Sequence, residues 1–334
     1  MKMAKSEKQK QKLFRILEML MRESDDVRGL SINDIRERLE EFGIKAERKG
    51  IYDDFAVLGE LGFPVTMLST RPPQYTLENR IFELAELKLL VDAVESSKFI
   101  TTKKSREIIA KLESFAGAHQ SRELSRQVYV EDRVKTQNNA SLYSIDAIHE
   151  AINEKKKLSF KYFYYDIDKN KVLRNGGEPY IVTPLALLWN DENYYLVALD
   201  EKADAIKNFR VDKIQNTKLL GEFAKRDDRV LNFNPADYSR KIFGMYGGKE
   251  ELVTLECKEK LAGAMIDRFG IEPTFIKTNF GFKFTIRLLV SPTFFAWALG
   301  FGSDLRILAP LNVRQELKDM LSEITKNYQE EGDA

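Results

Sequence analysis

Aromatic and basic side chains are concentrated in residues 160–213, where together they could bind single-stranded nucleic acid. The aromatic members are Tyr162, Phe163, Tyr164, Tyr165, Tyr180, Trp189, Tyr194, Tyr195 and Phe209, and the basic members are Lys161, Arg174, Arg210 and Lys213. Aromatic rings stack on bases and cations pair with phosphates, so this combination suits a single strand. The same tyrosines are also good strand formers that could fill both faces of a thin sheet. Composition alone favours this structural alternative.

A second group of polar residues, near residue 48, could contact double-stranded DNA. It comprises Lys45, Arg48, Lys49, Tyr52 and Arg71. Arginine can bind guanine through two hydrogen bonds, whereas lysine and tyrosine suit phosphate oxygens. Asp53 and Asp54 follow closely, and we expect both carboxylates to repel phosphates. The alternative is a small helical bundle whose surface happens to be basic, and spacing alone leaves the two interpretations even.

The sequence contains none of the common motifs of catalytic sites. There is no P-loop, no GxGxxG after a strand, no HExxH and no GxSxG. The two histidines, His119 and His149, are far apart and cannot alone form a zinc site. Cys257 is the single cysteine, which excludes an internal disulfide and suits a reducing cytoplasm. We therefore predict a cytoplasmic protein that is not an enzyme and uses no cofactor or metal.

Overall charge gives little guidance to the partners of the protein. Lysine and arginine (53) nearly balance aspartate and glutamate (52), so that the net charge is +1. No global field then attracts polyanions, and any such contact must come from local patches. The N-terminal MKMAKSEKQKQK is polar and no apolar run approaches about 18 residues, so we predict neither a secretory signal nor a membrane span.

Three predicted helices would position Arg48 and its neighbours. Apolar residues at helical spacing predict helices over about 7–22, 31–42 and 47–60. Ser31 and Asp34 form a capping-box pattern at the second helix. Two strand-like runs, FPVTML and QYTL, follow and are joined by the turn STRPP. This order predicts a winged helix-turn-helix over residues 1–80, whose third helix enters the major groove.

The remaining residues divide into three further predicted parts. Two amphipathic helices predict a helical linker over 81–140, which ends near the polar stretch VKTQNNAS. Short strands at regular spacing predict a small, strongly curved sheet or barrel over 141–225. The order β-α-β-β-α-β-α predicts an α+β sandwich over 226–334. The whole chain is thus predicted to be a multidomain α+β protein.

The segments NYYLVALD and KNFRVDKI resemble the WYL-domain family, which is named for a Trp-Tyr-Leu triplet in an Sm-like or SH3-like β-barrel. Here the triplet reads Tyr194-Tyr195-Leu196, and TPLALLW precedes it. ERKGIYDDF is similar to the recognition helix of the DeoR-type winged helix usually fused to this barrel, with Gly50 where Thr or Ser is usual. SPTFFAWALGFGSDLRILAP resembles the C-terminal extension of these regulators.

This resemblance implies a bacterial transcriptional regulator, usually a homodimer, that binds double-stranded DNA and senses a ligand in its barrel. In the family that ligand is often single-stranded DNA, another nucleic acid or a nucleotide. Arg210 matches the pocket arginine and is expected to bind phosphate, and Tyr195 is the triplet tyrosine. Asn208 stands where a histidine is frequent, on the same strand face as Arg210. Tyr162 and Arg174 complete the expected ligand site, and the C-terminal extension is expected to mediate dimerisation.

Two functions remain open at this point. The first is a sequence-specific regulator whose DNA-binding population is shifted by a ligand in the barrel. The second is an accessory nucleic-acid-binding protein that modulates a CRISPR or phage-defence nuclease, with the winged helix as an interaction module. Specific binding of duplex DNA would favour the first function, and its absence would favour the second.

Overall fold

The computed structural model describes residues 3–124, 135, 136, 138 and 141–329. The chain forms two compact units, Met1–Asn139 and Ala140–Ala334. Among the described residues, no helix combines the length and the apolar character that crossing a membrane requires. Helices and sheets both contribute substantially to the fold, in agreement with the predicted α+β class.

The N-terminal unit begins with helices and a hairpin in the predicted order. The elements are α1 (Met3–Glu23), α2 (Ile32–Glu41), α3 (Arg48–Glu60), β1 (Val65–Leu68) and β2 (Gln74–Leu77). Ser31 and Asp34 form the expected capping box at α2, which satisfies backbone N–H groups that the helix leaves free. Ile16, Leu20, Ile35, Leu39 and Ile51 are fully buried in the shared core of the three helices.

Two sets of hydrogen bonds attach the segments that flank these helices: one joins Leu30 to β2, and the other joins Arg80 to the end of α1. Leu30 pairs with Tyr75 of β2 through backbone hydrogen bonds of 2.9 and 3.0 Å. Gly29 allows this approach, because a Cβ there would lie only 2.7 Å from the Tyr75 carbonyl oxygen. Arg80 donates hydrogen bonds to the carbonyls of Leu20, Met21 and Ser24 and so caps the end of α1.

The helical segment after the hairpin contains α4 (Leu84–Ser96), α5 (Thr102–Glu113) and α6 (Ala118–Leu124). Thr101 caps α5 by accepting a hydrogen bond from the Lys104 backbone N–H. Leu87, Val91, Ala116 and Leu124 form a small separate core. Half of the predicted boundary at residues 134–141, namely residues 134, 137, 139 and 140, lies outside the described residues.

The second unit starts with α7 (Ser141–Asn153) and a curled sheet. Its strands are β3 (Lys156–Tyr165), β4 (Lys171–Leu173), β5 (Tyr180–Asn190), β6 (Asn193–Asp200), β7 (Ala205–Arg210) and β8 (Ile214–Phe223). The antiparallel order is β4-β3-β5-β6-β7, and β8 also pairs antiparallel with β3. Leu158, Phe160, Val182, Leu196 and Ile214 are fully buried within this sheet.

The C-terminal part of the same unit is a second, four-stranded sheet with helices. Its elements are α8 (Asp228–Leu231), α9 (Pro235–Lys241), β9 (Lys249–Cys257), α10 (Ala262–Phe269), β10 (Ile276–Lys277), β11 (Phe282–Val290), α11 (Pro292–Leu299), β12 (Leu305–Ala309) and α12 (Leu311–Gln329). The strand order is β10-β11-β9-β12. From β9 onward the elements follow the predicted β-α-β-β-α-β-α order, and α10 and α11 bury Met265 and Phe294 against one sheet face.

Candidate nucleic-acid sites

The first candidate site lies at the start of α3, where Arg48 and two tyrosines form a hydrogen-bonded chain. Arg48 Nε and Nη2 donate to the Tyr52 hydroxyl at 3.3 and 3.1 Å. The Tyr52 and Tyr75 hydroxyls are 2.9 Å apart. The hydrogen bonds from Tyr75 and Arg48 lower the pKa of Tyr52. The chain therefore connects the exposed end of α3 to β2 of the hairpin.

Arg48 also borders a small groove beside the hairpin turn. The groove, of about 120 Å³, is lined by Ser31, Ile32, Asn33, Arg36, Arg48, Pro72, Pro73 and Tyr75. Lys45, Lys49 and Arg71 are exposed, as a DNA contact requires, whereas Tyr52 is half-buried. The structure therefore places the start of α2, the start of α3 and the hairpin turn on one groove, which we call the Arg48 groove.

The expectation that Asp54 repels phosphates is wrong, because its carboxylate is buried. Lys12 Nζ lies 2.7 Å from Asp54 Oδ2, and both side chains are about nine-tenths buried. The same ammonium donates to the Gly50 carbonyl at 3.2 Å. Burial raises the pKa of Asp54, an effect that Lys12 opposes. Of the adjacent pair, only Asp53 is exposed.

The second candidate site lies on one face of strands β6 and β7. Tyr195 pairs with Arg210 and Val197 pairs with Asn208 across these strands. Residues that face each other across an antiparallel pair, and residues two apart along a strand, share one sheet face. Tyr195, Asn208 and Arg210 therefore lie together, and we call this surface the Arg210 face.

Arg210 is already paired with a carboxylate. Its Nε and Nη2 atoms lie 3.0 Å from Asp212 Oδ1 and Oδ2, and Nη2 also donates to Asn193 Oδ1 at 2.9 Å. The Asp212 carboxylate raises the pKa of Arg210. The Arg210 side chain is still 40% exposed, so one edge of the guanidinium is accessible. A phosphate at this edge must compete with the charge of Asp212.

Asn208 is engaged by the C-terminal part of the same unit. Its amide nitrogen donates to the Met245 carbonyl at 2.9 Å and to the Tyr238 hydroxyl at 3.0 Å. The Tyr238 hydroxyl lies 3.1 Å from Asn208 Oδ1. Beside this contact, Val197 packs with Ile242, Met245 and Leu289 in a small apolar core. The Asn208 amide therefore helps to hold the C-terminal segment against the Arg210 face.

The other predicted ligand residues take different positions. Tyr195 packs at the edge of that apolar core, and burial raises its pKa. The Tyr162 hydroxyl accepts a hydrogen bond of 3.2 Å from the Arg210 backbone, and its ring packs edge-on against Phe209. Arg174 is exposed, with its guanidinium carbon 5.6 Å from the Tyr164 ring centroid. Tyr162 thus supports the strand of Arg210, whereas Arg174 lies beside the exposed ring of Tyr164.

Sequence reasoning missed the partners that complete the Arg210 face. These are Asn193, which binds Arg210, and Tyr238 and Met245, which bind Asn208. Asp212 binds Arg210 through both carboxylate oxygens, and Lys213 Nζ lies 3.5 Å from Asp212 Oδ2. The spacing of two residues between Arg210 and Asp212 was the one local pattern in the sequence that could have indicated their ion pair. Asn193 reaches Arg210, and Tyr238 reaches Asn208, only when the chain is folded.

We expect Tyr238→Phe to lower the free energy of unfolding by about 1–3 kcal/mol, because Asn208 loses a buried hydrogen-bond partner. Urea unfolding followed by tryptophan fluorescence measures the change, since Trp189 and Trp297 both lie in the second unit. Tyr246→Phe is the matched control, because Tyr246 is 62% exposed and its loss should cost within about 0.5 kcal/mol. Equal effects of the two variants would contradict the role given to Tyr238.

Among the described residues, no group of three or more His, Cys, Asp or Glu side chains could hold a metal ion. Cys257 is buried at the end of β9, and burial raises the pKa of its thiol to about 11. A thiol in this state is a poor nucleophile. The features that favour ligand binding are therefore the basic and aromatic groups already described.

The strands that carry the Arg210 face lie in a segment that matches a known domain family. Residues 144–219 match the family model of the WYL domain, so the chain contains a WYL domain and the resemblance is confirmed for this part. Tyr162, Arg174, Tyr195, Asn208 and Arg210 all lie within the match. No curated protein sequence matches the chain.

Several solved structures match the chain, among them the following two. One is proteasome accessory factor B/C (PafBC) of Arthrobacter aurescens, with 19% sequence identity and a TM-score of 0.28 over 92% of this chain and 47% of that chain. The other is a CRISPR Cas-related protein, with 12% identity and a TM-score of 0.26 over 75% of this chain and 81% of that chain. This chain thus spans about half the length of the PafBC chain that it matches.

Proposed function

We propose that the protein is a DNA-binding transcription regulator whose WYL domain binds a nucleic acid or nucleotide and thereby controls DNA binding. The observation that carries this proposal is the combination of a WYL domain with a separate unit that exposes Arg48 and Lys49 at the start of α3. The three helices and hairpin of that unit have the order of a winged helix-turn-helix. In such a motif α3 enters the major groove and the hairpin lies along the backbone.

The arrangement of the Arg48 groove supports particular roles for its residues. Arg48 and Lys49 would contact the major groove, and Arg71 in the hairpin turn would contact a phosphate. Tyr52 acts through Arg48 and Tyr75, because its hydroxyl is shared between them. Two copies of the chain would present two α3 helices to successive major grooves, so we propose that the protein works as a homodimer.

Ligand control would work through the Arg210 face. A ligand phosphate would bind the exposed edge of Arg210, and its bases would stack on the neighbouring aromatic rings. The Asn208 contacts with Tyr238 and Met245 connect this face to the C-terminal part of the unit. A ligand that favours one arrangement of these contacts would shift the population that binds DNA. The protein would act without catalysis, because its site residues would bind DNA and the ligand and would carry out no reaction on them.

Selection of bound duplex fragments from the genome of the source organism tests the proposal. Wild type should enrich a discrete motif with two half-sites. Combined Arg48→Ala, Lys49→Ala and Arg71→Ala should abolish the enrichment, whereas the matched set Lys103→Ala, Arg106→Ala and Lys111→Ala should preserve it. The control residues are exposed cations of α5 and change the net charge equally.

Three outcomes would contradict the proposed regulator. Equal enrichment by both triple variants would show that α3 and the hairpin turn do not contact the DNA. Failure of wild type to enrich any duplex, together with binding of single strands, would favour the accessory protein that modulates a nuclease. Absence of both kinds of binding would remove nucleic acid from the proposal altogether.

A further inference from the structure

A cavity of about 580 Å³ opens at one end of the curled sheet, apart from the Arg210 face. It is lined by Asn175, Pro179, Tyr180, Ile181, Asp200, Glu201, Lys202, Ala203 and Lys207. Lys207 neighbours Asn208 on β7, so the two side chains point to opposite faces of that strand. The volume lies within the range of roughly 300–1,000 Å³ usual for small-molecule pockets, which often occur at the mouths of β-barrels. We call it the Lys202 cavity.

The carboxylates of the Lys202 cavity already have partners. Asp200 is almost fully buried, accepts hydrogen bonds from the backbone of Lys202 and Ala203, and binds Lys207 Nζ at 2.7 Å. Glu201 binds Lys157 Nζ at 2.9 Å. The Asp200 contacts fix the turn between β6 and β7, whereas Glu201 Oε1 is buried without a hydrogen-bond partner among the described residues, so an anion in the cavity must lie away from it.

The ammonium groups retain hydrogen-bonding capacity. Lys202 Nζ binds a neutral acceptor, Asn175 Oδ1, at 3.2 Å. The Lys207 side chain is 42% exposed, and its ammonium has three donors, of which Asp200 takes one. Asn175, Gly176 and Gly177 have positive φ angles of 57°, 63° and 84°, and this left-handed turn places the Asn175 amide beside Lys202. Two cations thus border one cavity and can share an anion.

Part of the lining is apolar and includes an aromatic ring. Tyr180 stacks on the fully buried Phe160, with ring centroids 5.7 Å apart and ring planes 14° apart. Lys207 Nζ lies 6.0 Å from the Tyr180 centroid. Ile181 is 43% exposed, and Pro179 also lines the cavity. A flat apolar group can lie on this surface while its charged end reaches the lysines.

We propose that the Lys202 cavity binds a small organic anion that carries a planar ring, with the phosphate or carboxylate between Lys202 and Lys207 and the ring against Tyr180 and Ile181. This site is additional to the nucleic-acid sites of the proposed function and does not depend on them. A charged hydrogen bond to each lysine fixes the anion, and burial of the ring adds to the affinity.

Isothermal titration calorimetry on the full chain tests this site with adenosine monophosphate and benzoate as probes. Adenosine and inorganic phosphate serve as half-ligands that each lack one recognised group. Wild type should bind at least one ring-bearing anion more tightly than either half-ligand. Lys202→Met should weaken that binding about tenfold, because a charge-assisted hydrogen bond is lost. Lys202→Met combined with Lys207→Met should weaken it further.

Two controls separate this site from the rest of the domain. Lys218→Met removes an exposed cation of β8 outside the cavity and should leave the affinity unchanged. Arg210→Ala separates the two sites, because adenosine monophosphate bound at the Arg210 face would lose affinity in this variant, whereas the same ligand in the Lys202 cavity would lose affinity in Lys202→Met. The inference fails if wild type binds neither ring-bearing anion, if phosphate alone binds equally well, or if Lys202→Met matches Lys218→Met.

Discussion

Asp54→Ala is expected to destabilise α1 and α3 by about 3–5 kcal/mol, because it leaves the buried Lys12 ammonium without its counter-ion. The remaining hydrogen bond from Lys12 to the Gly50 carbonyl replaces only part of that interaction. Hydrogen exchange of the amides in α1 and α3 measures the opening of these helices directly. The pair matters for function because α1 supports α3, which carries Arg48 and Lys49.

Two comparison variants make this result specific. Asp53→Ala removes the adjacent but exposed carboxylate and should change the opening free energy by no more than about 0.5 kcal/mol. Combined Lys12→Met and Asp54→Leu should restore most of the lost stability, because apolar residues of similar size often replace a buried ion pair without cost. Equal exchange rates in Asp53→Ala and Asp54→Ala would show that the pair contributes little.

Arg210→Ala and Asp212→Asn are expected to change the affinity for single-stranded nucleic acid in opposite directions. Loss of the guanidinium should weaken binding by roughly 10- to 100-fold, the effect of one charge-assisted hydrogen bond. Asp212→Asn keeps an acceptor for Arg210 but removes the competing negative charge. It should therefore strengthen binding several-fold, as measured by fluorescence anisotropy with a short labelled strand.

Lys218→Ala controls for the loss of a positive charge elsewhere in the same unit, since Lys218 is exposed on β8. Its effect should be small and should disappear as the salt concentration rises, because an exposed charge is screened. If Asp212→Asn weakened binding as much as Arg210→Ala does, the pair would act as a structural support and not as a competed anion site.

Local patterns in the sequence predicted much of the secondary structure. Ser31 with Asp34 marks the start of α2, and the Ser31 side chain accepts the expected backbone hydrogen bond. Such signals act over a few residues, so they can be recognised without knowing the fold. The strand alternation likewise placed Asn208 and Arg210 on one face.

Contacts between distant segments could not be predicted in the same way. Nothing near Asp54 in the sequence indicates that Lys12 reaches it, and the adjacent Asp53 has the same residue type but is exposed. Tyr52 was expected to bind phosphate, yet its hydroxyl also contacts Tyr75 of the hairpin. The contacts of Asn208 with Tyr238 and Met245 depend on how the C-terminal segment folds back on the sheet. These pairings are decided by packing.

We propose that the two units bind different nucleic acids: the N-terminal unit binds duplex DNA through Arg48, Lys49 and Arg71, and the second unit binds single strands through Arg210. Fluorescence anisotropy tests it with three labelled probes at two salt concentrations: short single-stranded DNA, short single-stranded RNA, and the duplex upstream of the protein's own gene. Wild type, Arg210→Ala and the triple variant of Arg48, Lys49 and Arg71 are measured side by side. The salt dependence counts the phosphate contacts that each variant loses.

Arg210→Ala should lose single-strand binding and keep duplex binding. The triple variant should show the reverse, with a shallower salt dependence of any duplex binding that remains. Failure of every single strand to bind wild type, with no effect of Arg210→Ala on any probe, would contradict the ligand site on the Arg210 face. Loss of both activities in both variants would contradict the division of binding between the two units.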